Sequence, residues 1–171
     1  MSVLAGLRVI DFTEYIAGPY AGMLLGDMGA DVIKVEPPEG DRFRQGQFYA
    51  PHESRNNLSM NRSKRSIGLD LQNDAGRALL DELIRGSDVF LTNFLPGARK
   101  KMKIDVEDVR AVNPKIIYAR GSALGEKGPE REKGGYDSTA YWARGGSGMG
   151  QKQPGDPQQP QQGEGEGEEQ A

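Results

Sequence analysis

Runs of β-branched and aromatic residues alternate with amphipathic stretches over most of this chain. Residues 7–12 (LRVIDF) and 32–36 (VIKVE) read as strands. Between them Tyr20, Met23, Leu24 and Met28 recur at helical spacing and predict a helix over 20–28 with those four as its buried stripe. Pro19 suits a first-turn position and Gly29 a C-cap. Residues 37–62 lose all periodicity. Residues 67–71 (IGLDL) then alternate as a third strand, and 74–85 predict a helix buried through Leu79, Leu80, Leu83 and Ile84, with Asn73 as N-cap. A strand at 88–92, a turn at 93–97, short helices at 98–102 and 105–112, and a strand at 115–119 follow. A loop rich in glycine, 121–135, leads into a helix from Tyr136-Asp137 through Trp142. Strands alternating with helices predict an α/β fold: a Rossmann-like parallel sheet with flanking helices.

Charge divides the chain in two. The segment 151–171 holds five acids and one base, and Ala171 is its only residue from the apolar set. Such a segment cannot bury enough surface to offset its ordering entropy, so it is expected to be a disordered acidic tail after a body of residues 1–150. With the whole chain at −3, the body carries +1, and bulk charge gives no reason to expect a nucleic-acid partner. The absence of cysteine excludes disulfides, thiolate catalysis and cysteine–zinc sites, and a single histidine, His52, excludes multi-histidine metal sites. No run approaches membrane-spanning length and residues 1–6 lack a secretory pattern, so a soluble, cytoplasmic protein without membrane or metal is expected.

The strand–loop–helix–strand start raises a dinucleotide site, but the first loop reads FTEYIAGP, without the G-x-G-x-x-G that lets backbone approach a pyrophosphate. Glu36 does stand where a ribose-binding acid belongs. Arg62, Lys64 and Arg65, with Arg42 and Arg44 upstream and Arg99, Lys100 and Lys101 downstream, read either as a solvated face or as a grip for an anion with separated phosphates. Asp137 reads as an N-cap or a catalytic carboxylate. His52 reads as a surface residue, and Tyr141, Trp142 and Met149 as core or interface residues.

Taken together, the segments resemble the start of the family III CoA-transferases, the CaiB/BaiF family. The matching stretches are LAGLRVIDF (4–12), AGP (17–19), GADVIKVE (29–36), NRSKRSIGLDL (61–71), NFLPG (93–97), Asn113-Pro114 and the GPxxxxGGYD pattern over 128–137. Singly they are weak; seven in order over 4–150 are specific. The resemblance implies a homodimer of interlocked chains that transfers coenzyme A between an acyl-CoA thioester and a carboxylate acceptor. By position it implies coenzyme A contacts at Tyr15, Ile16, Ala17, Pro37, Leu69, Gln72, Asn93, Phe94, Ala98 and Lys101. It also gives the basic cluster, Lys64 and Arg65 foremost, a ligand in the 3′-phosphate and pyrophosphate. Pro37 departs from the family, where a basic residue can occupy that place.

In similar enzymes an aspartate carboxylate attacks the thioester carbonyl, expels the CoA thiolate and forms a mixed anhydride. The thiolate re-attacks to give an aspartyl thioester, and the acceptor carboxylate then takes over. That aspartate follows a glycine beyond the GGYD segment. Here Gly155-Asp156 mimics the pair, but Pro157 and a run of glutamines follow, so Asp156 is rejected and no catalytic residue is assigned. Asp137 belongs to the preceding motif. Tyr136 stands where related racemases carry a proton-shuttling histidine, which favours transfer over racemisation. The family chain is more than twice this long, so the expectation is an N-terminal portion holding coenzyme A without its nucleophile. A non-catalytic coenzyme- or nucleotide-binding fragment is the alternative, and an acyl-CoA racemase relative or a nicotinamide reductase the remote ones.

Overall fold

The computed structural model describes residues 2–44 and 54–146. His52, Met149, Asp156 and the segment 151–171 lie outside the described residues, as does the Asp137 side chain. Two units are distinguished, one ending at Gly134 and one beginning at Gly135.

Five strands build the first unit: β1 (Arg8–Phe12), β2 (Asp31–Glu36), β3 (Lys64–Gly68), β4 (Val89–Thr92) and β5 (Ile117–Arg120). All pair in parallel, in the order β3-β2-β1-β4-β5. Crossovers run through α1 (Ala17–Asp27), α2 (Arg55–Met60), α3 (Asp74–Arg85), α4 (Pro96–Met102) and α5 (Val106–Val112). This is the expected Rossmann-like α/β sheet, with the chain reversing direction across the sheet between β1 and β4.

Pleating sends alternate residues to opposite faces. On one face Ile10, Phe12, Val35 and Phe90 meet Leu80 and Ile84 of α3 and Val109 of α5 in the main core. Phe90 is wholly buried and lies between stacked rings, 5.9 Å from Phe12 and 5.6 Å from Tyr118. On the other face Val9, Val32 and Val89 form a smaller core with Leu25 of α1.

Three expectations are corrected. The third strand is Lys64–Gly68, five residues that begin in the motif's basic end, rather than 67–71. Its partner decides this: Val32 to Glu36 of β2 register with Lys64 to Gly68, so the strand ends where β2 ends and Leu69 begins a turn. The face of α1 against the sheet is not the expected stripe; Met23 is buried, but Tyr20, Leu24 and Met28 are exposed. Gly18, Pro19 and Gly22 are buried instead. A Cβ on Gly22 would stand 2.7 Å from Asp11 Oδ2, and one on Gly18 would stand 2.5 Å from the Thr13 Cβ. The helix therefore lies too close to the sheet for side chains at these positions. Finally, α2 occupies part of the stretch read as loop, with Ser54 as N-cap, its side chain accepting from the Asn57 N–H.

Helix α3 spans the predicted residues with Asn73 capping Gly76 N–H, although Leu79 is exposed. Helix α5 opens on a reciprocal capping box between Asp105 and Asp108. The second unit, taken by itself, holds a π-helical turn over Asp137–Arg144, where Tyr141 and Trp142 meet edge to face at 6.0 Å.

Candidate functional site

A cleft of about 660 Å³ opens at the carboxyl ends of the strands, where ligands of open α/β sheets bind. The end of β1 gives it Phe12, Thr13 and Glu14; β2 and its turn give Lys34 to Glu39 and Asp41; the turn after β3 gives Leu69 to Gln72; α4 and the turn before it give Phe94, Ala98, Lys101 and Met102. Its apolar wall is an extension of the core, because Phe12 packs on Phe94 with ring centroids 5.5 Å apart. Pro96 starts α4 and Lys103, in the left-handed region at φ 51°, ends it, so Ala98, Lys101 and Met102 share the inner side of one short helix.

Buried charges shape the opposite wall. Lys34 donates to the Thr13 carbonyl at 2.9 Å and pairs with Asp41 at 2.8 Å, both side chains almost wholly enclosed. Lys64 donates to Asp11 Oδ2 at 2.6 Å, the Pro19 carbonyl at 2.8 Å and Asn61 Oδ1 at 2.9 Å. Thr13 closes the set by donating its hydroxyl to Asp11 Oδ1. Two lysines on neighbouring strands thus hold one carbonyl of the loop after β1 and one in the first turn of α1. Burial pulls the Lys64 ammonium below the usual lysine range, partly offset by Asp11. Glu36 accepts from Arg44 through both oxygens, from Ser66, and from the Asp41 N–H. Burial alone would raise its carboxyl; those donors outweigh it and hold Glu36 down at about 2.

Glu14 differs from these acids. Its backbone is clamped by Asn93, which accepts from the Glu14 N–H at 2.9 Å and donates to its carbonyl at 2.7 Å. Its half-buried side chain lines the cleft, and burial, then Asp41, push its carboxyl above the usual range, with Arg42 and Lys34 acting the other way.

Of the expected contact residues, Pro37, Leu69, Gln72, Phe94, Ala98 and Lys101 line this cleft. Asn93 does not, but it holds Glu14 in place. Tyr15 and Ile16 lead into α1, which Ala17 opens, and none of the three lines the cleft; Tyr15 is in the left-handed region at φ 66°. The basic cluster does not converge there. All three Lys64 protons are committed inside the fold, and Arg65 pairs with Asp31 at 2.6 Å. Arg62 pairs with Asp27, Arg44 with Glu36, and the buried Arg99 with Asp105 and Glu126. Glu36, with its oxygens committed to Arg44, Ser66 and the Asp41 N–H, has no oxygen placed for a ribose. Sequence reading missed Glu14, Lys34 and Asp41 as cleft residues; for Lys34 the available signal was a charge inside the apolar run VIKVE, whereas Glu14 and Asp41 lie outside the strand runs and carried none. Among the described residues no cluster of three His, Asp or Glu side chains is placed to hold a metal.

The chain matches the model of CoA-transferase family III over residues 4–164. It is 43% identical over 142 residues to a succinate–glutarate CoA-transferase of Agrobacterium fabrum, an alignment covering 78% of this chain and 36% of that protein. A crystal structure of a hypothetical protein from Mycobacterium tuberculosis superposes with a TM-score of 0.82 at 39% identity, covering 92% of this chain and 44% of that one. A CaiB/BaiF family protein from Brucella suis superposes at 0.77 with 38% identity, over 85% of this chain and 39% of that one. The chain spans about a third of the length of the curated relatives it matches. By this match, and by the fold and motif order that agree with it, the chain belongs to CoA-transferase family III.

Proposed function

We propose that this chain supplies the coenzyme-holding wall of a CoA-transferase, and that it binds coenzyme A without turning over by itself. One observation carries the reading: six residues that the family resemblance assigns to coenzyme A stand around one cleft at the strand ends. The cleft volume, about 660 Å³, lies in the range of small-molecule sites. Its Phe12, Leu69, Phe94 and Met102 wall suits an apolar linker, and Lys101, with no ion-pair partner among the described residues, suits a phosphate. In the complete reaction an acyl-CoA donor and a carboxylate acceptor exchange the coenzyme through an aspartyl intermediate, in a dimer. The nucleophile of that sequence is not assigned to any residue here, because Gly155-Asp156 lacks the flanks the motif needs.

Calorimetric titration of the full chain with coenzyme A tests the binding claim, and no heat at millimolar ligand would defeat it. Incubation with acyl-CoA and a carboxylate, followed by hydroxylamine trapping, tests the second. A trapped aspartyl adduct together with steady CoA exchange would show that a nucleophile is present after all.

A further inference from the structure

We propose that Glu14 is a specificity-determining residue whose carboxylate takes a hydrogen bond from an N–H or O–H donor of the coenzyme. The proposal rests on the coenzyme A reading of the cleft and names what one of its walls recognises. Position is the first argument. Glu14 follows β1 beside the point where the sheet reverses direction, and its side chain lines the cleft next to Thr13, Lys34 and Asp41.

Rigidity is the second. Thr13 is held by Lys34 at 2.9 Å, and the Glu14 backbone is held on both sides by Asn93 at 2.9 and 2.7 Å. A side chain on so fixed a backbone loses little freedom when it meets a ligand, which is the condition for a selective contact.

The third argument is the state of its neighbours. Asp11 is satisfied by Lys64 and Thr13, Glu36 by Arg44, Ser66 and the Asp41 N–H, and Asp41 is paired with Lys34. Asp70 accepts from the Gln72 N–H and the Asn73 amide. The half-buried Glu14 side chain has no hydrogen-bond or ion-pair partner among the described residues; Glu39, the other cleft acid without one, is exposed to water. A partly desolvated carboxylate without a donor is costly, and a ligand donor removes that cost. Phosphates carry acceptors only and are repelled by Glu14 and Asp41. The donors of coenzyme A are the adenine amino group, the ribose hydroxyls and the two pantetheine amides. The uncharged, donor-bearing part therefore belongs at Glu14, leaving Lys101 for a phosphate.

The charged groups facing Glu14 are Asp41, which raises its carboxyl, and Arg42 and Lys34, which lower it; Glu39, Asp70 and Lys101 complete the cleft's charges. Because the donor bonds to the ionised form, affinity should rise with pH through the Glu14 titration and level off above it. Titrate wild-type, Glu14→Gln and Glu14→Ala full-length chains with coenzyme A, pantetheine and adenosine 3′,5′-bisphosphate, with thermal melts of each variant alongside. Glu14→Ala should weaken coenzyme A about tenfold. Glu14→Gln, which keeps a neutral acceptor, should lose less and show a flat pH profile. Loss confined to pantetheine assigns the amides, and loss confined to the bisphosphate assigns adenosine; both support the proposal. Wild-type-like or tighter binding by Glu14→Ala, with an unchanged melt, overturns it and leaves the coenzyme reading standing. No binding by the wild-type chain overturns both.

Discussion

Replacing Lys64 by methionine should destabilise the fold more than any single surface change. The Lys64 and Asp11 side chains are 1% and 0% exposed and their charged atoms are 2.6 Å apart. Lys64→Met keeps the aliphatic stem but leaves Asp11 buried with only the Thr13 hydroxyl, and frees the Pro19 carbonyl and Asn61. Breaking a buried pair from one side costs about 3–5 kcal/mol. Against a total stability of roughly 5–15 kcal/mol for a domain, that is a large share. With a urea slope of about 2 kcal/mol/M, the midpoint should fall by about 2 M. Urea titration followed by far-ultraviolet circular dichroism measures it. Asp11→Asn in the Lys64→Met background removes the stranded charge and should recover at least half the loss, so a chain too weak to study alone still yields a result. A Lys64→Met midpoint within about 0.5 M of wild type would refute the reasoning, since it would mean that water reaches the pair and that burial adds nothing.

Three further substitutions have expected outcomes. Gly22→Ala should lower stability by about 2 kcal/mol, because its Cβ would stand 2.7 Å from Asp11 Oδ2 and must push α1 off the sheet; a neutral effect on the melting temperature would contradict this close approach. Glu36, held at about 2 against an ordinary value of 4.5, contributes stability that is complete above pH 4.5 and is lost as pH falls toward 2. Glu36→Gln should therefore cost about 2 kcal/mol at pH 7 and flatten the acid limb of a stability-versus-pH curve; an unchanged acid limb would count against it. Asp105→Ala removes both the α5 cap and one partner of the buried Arg99, and should cost about 2 kcal/mol or more in chemical unfolding, with a loss under half that showing that Glu126 suffices.

Much of the fold was legible because parallel strands buried on both faces are written as local runs. RVIDF, VIKVE and VFLT are such runs, and α3 carries its cap, its periodicity and its C-terminal glycine in sequence order. The errors share a cause. KRSIG is a strand because β2 offers it a register, which no local alternation reports. The expected stripe on α1 failed because glycine, which scores as neither core nor surface, is what permits the closest packing of helix on sheet. The candidate site divides similarly. Pro37, Leu69, Gln72, Phe94, Ala98 and Lys101 were legible by motif position and line one cleft. Lys64 and Arg65 were read as available cations because a sequence lists charges without their partners.

What the sequence determines by itself is the alternation of elements, the motif order that places the chain in its family, and the set of charges it carries. Tertiary structure decides which of those charges are free. Asp11 and Lys64 are 53 positions apart and Lys34 and Thr13 are 21 apart, yet they form one buried network under the first loop. Pairing of this kind is set by strand order and register, through distances that only the closed sheet defines. It turns most of a basic cluster into scaffold and leaves Glu14, an unremarked residue of the first loop, as a half-buried acid that lines the cleft without a side-chain partner among the described residues.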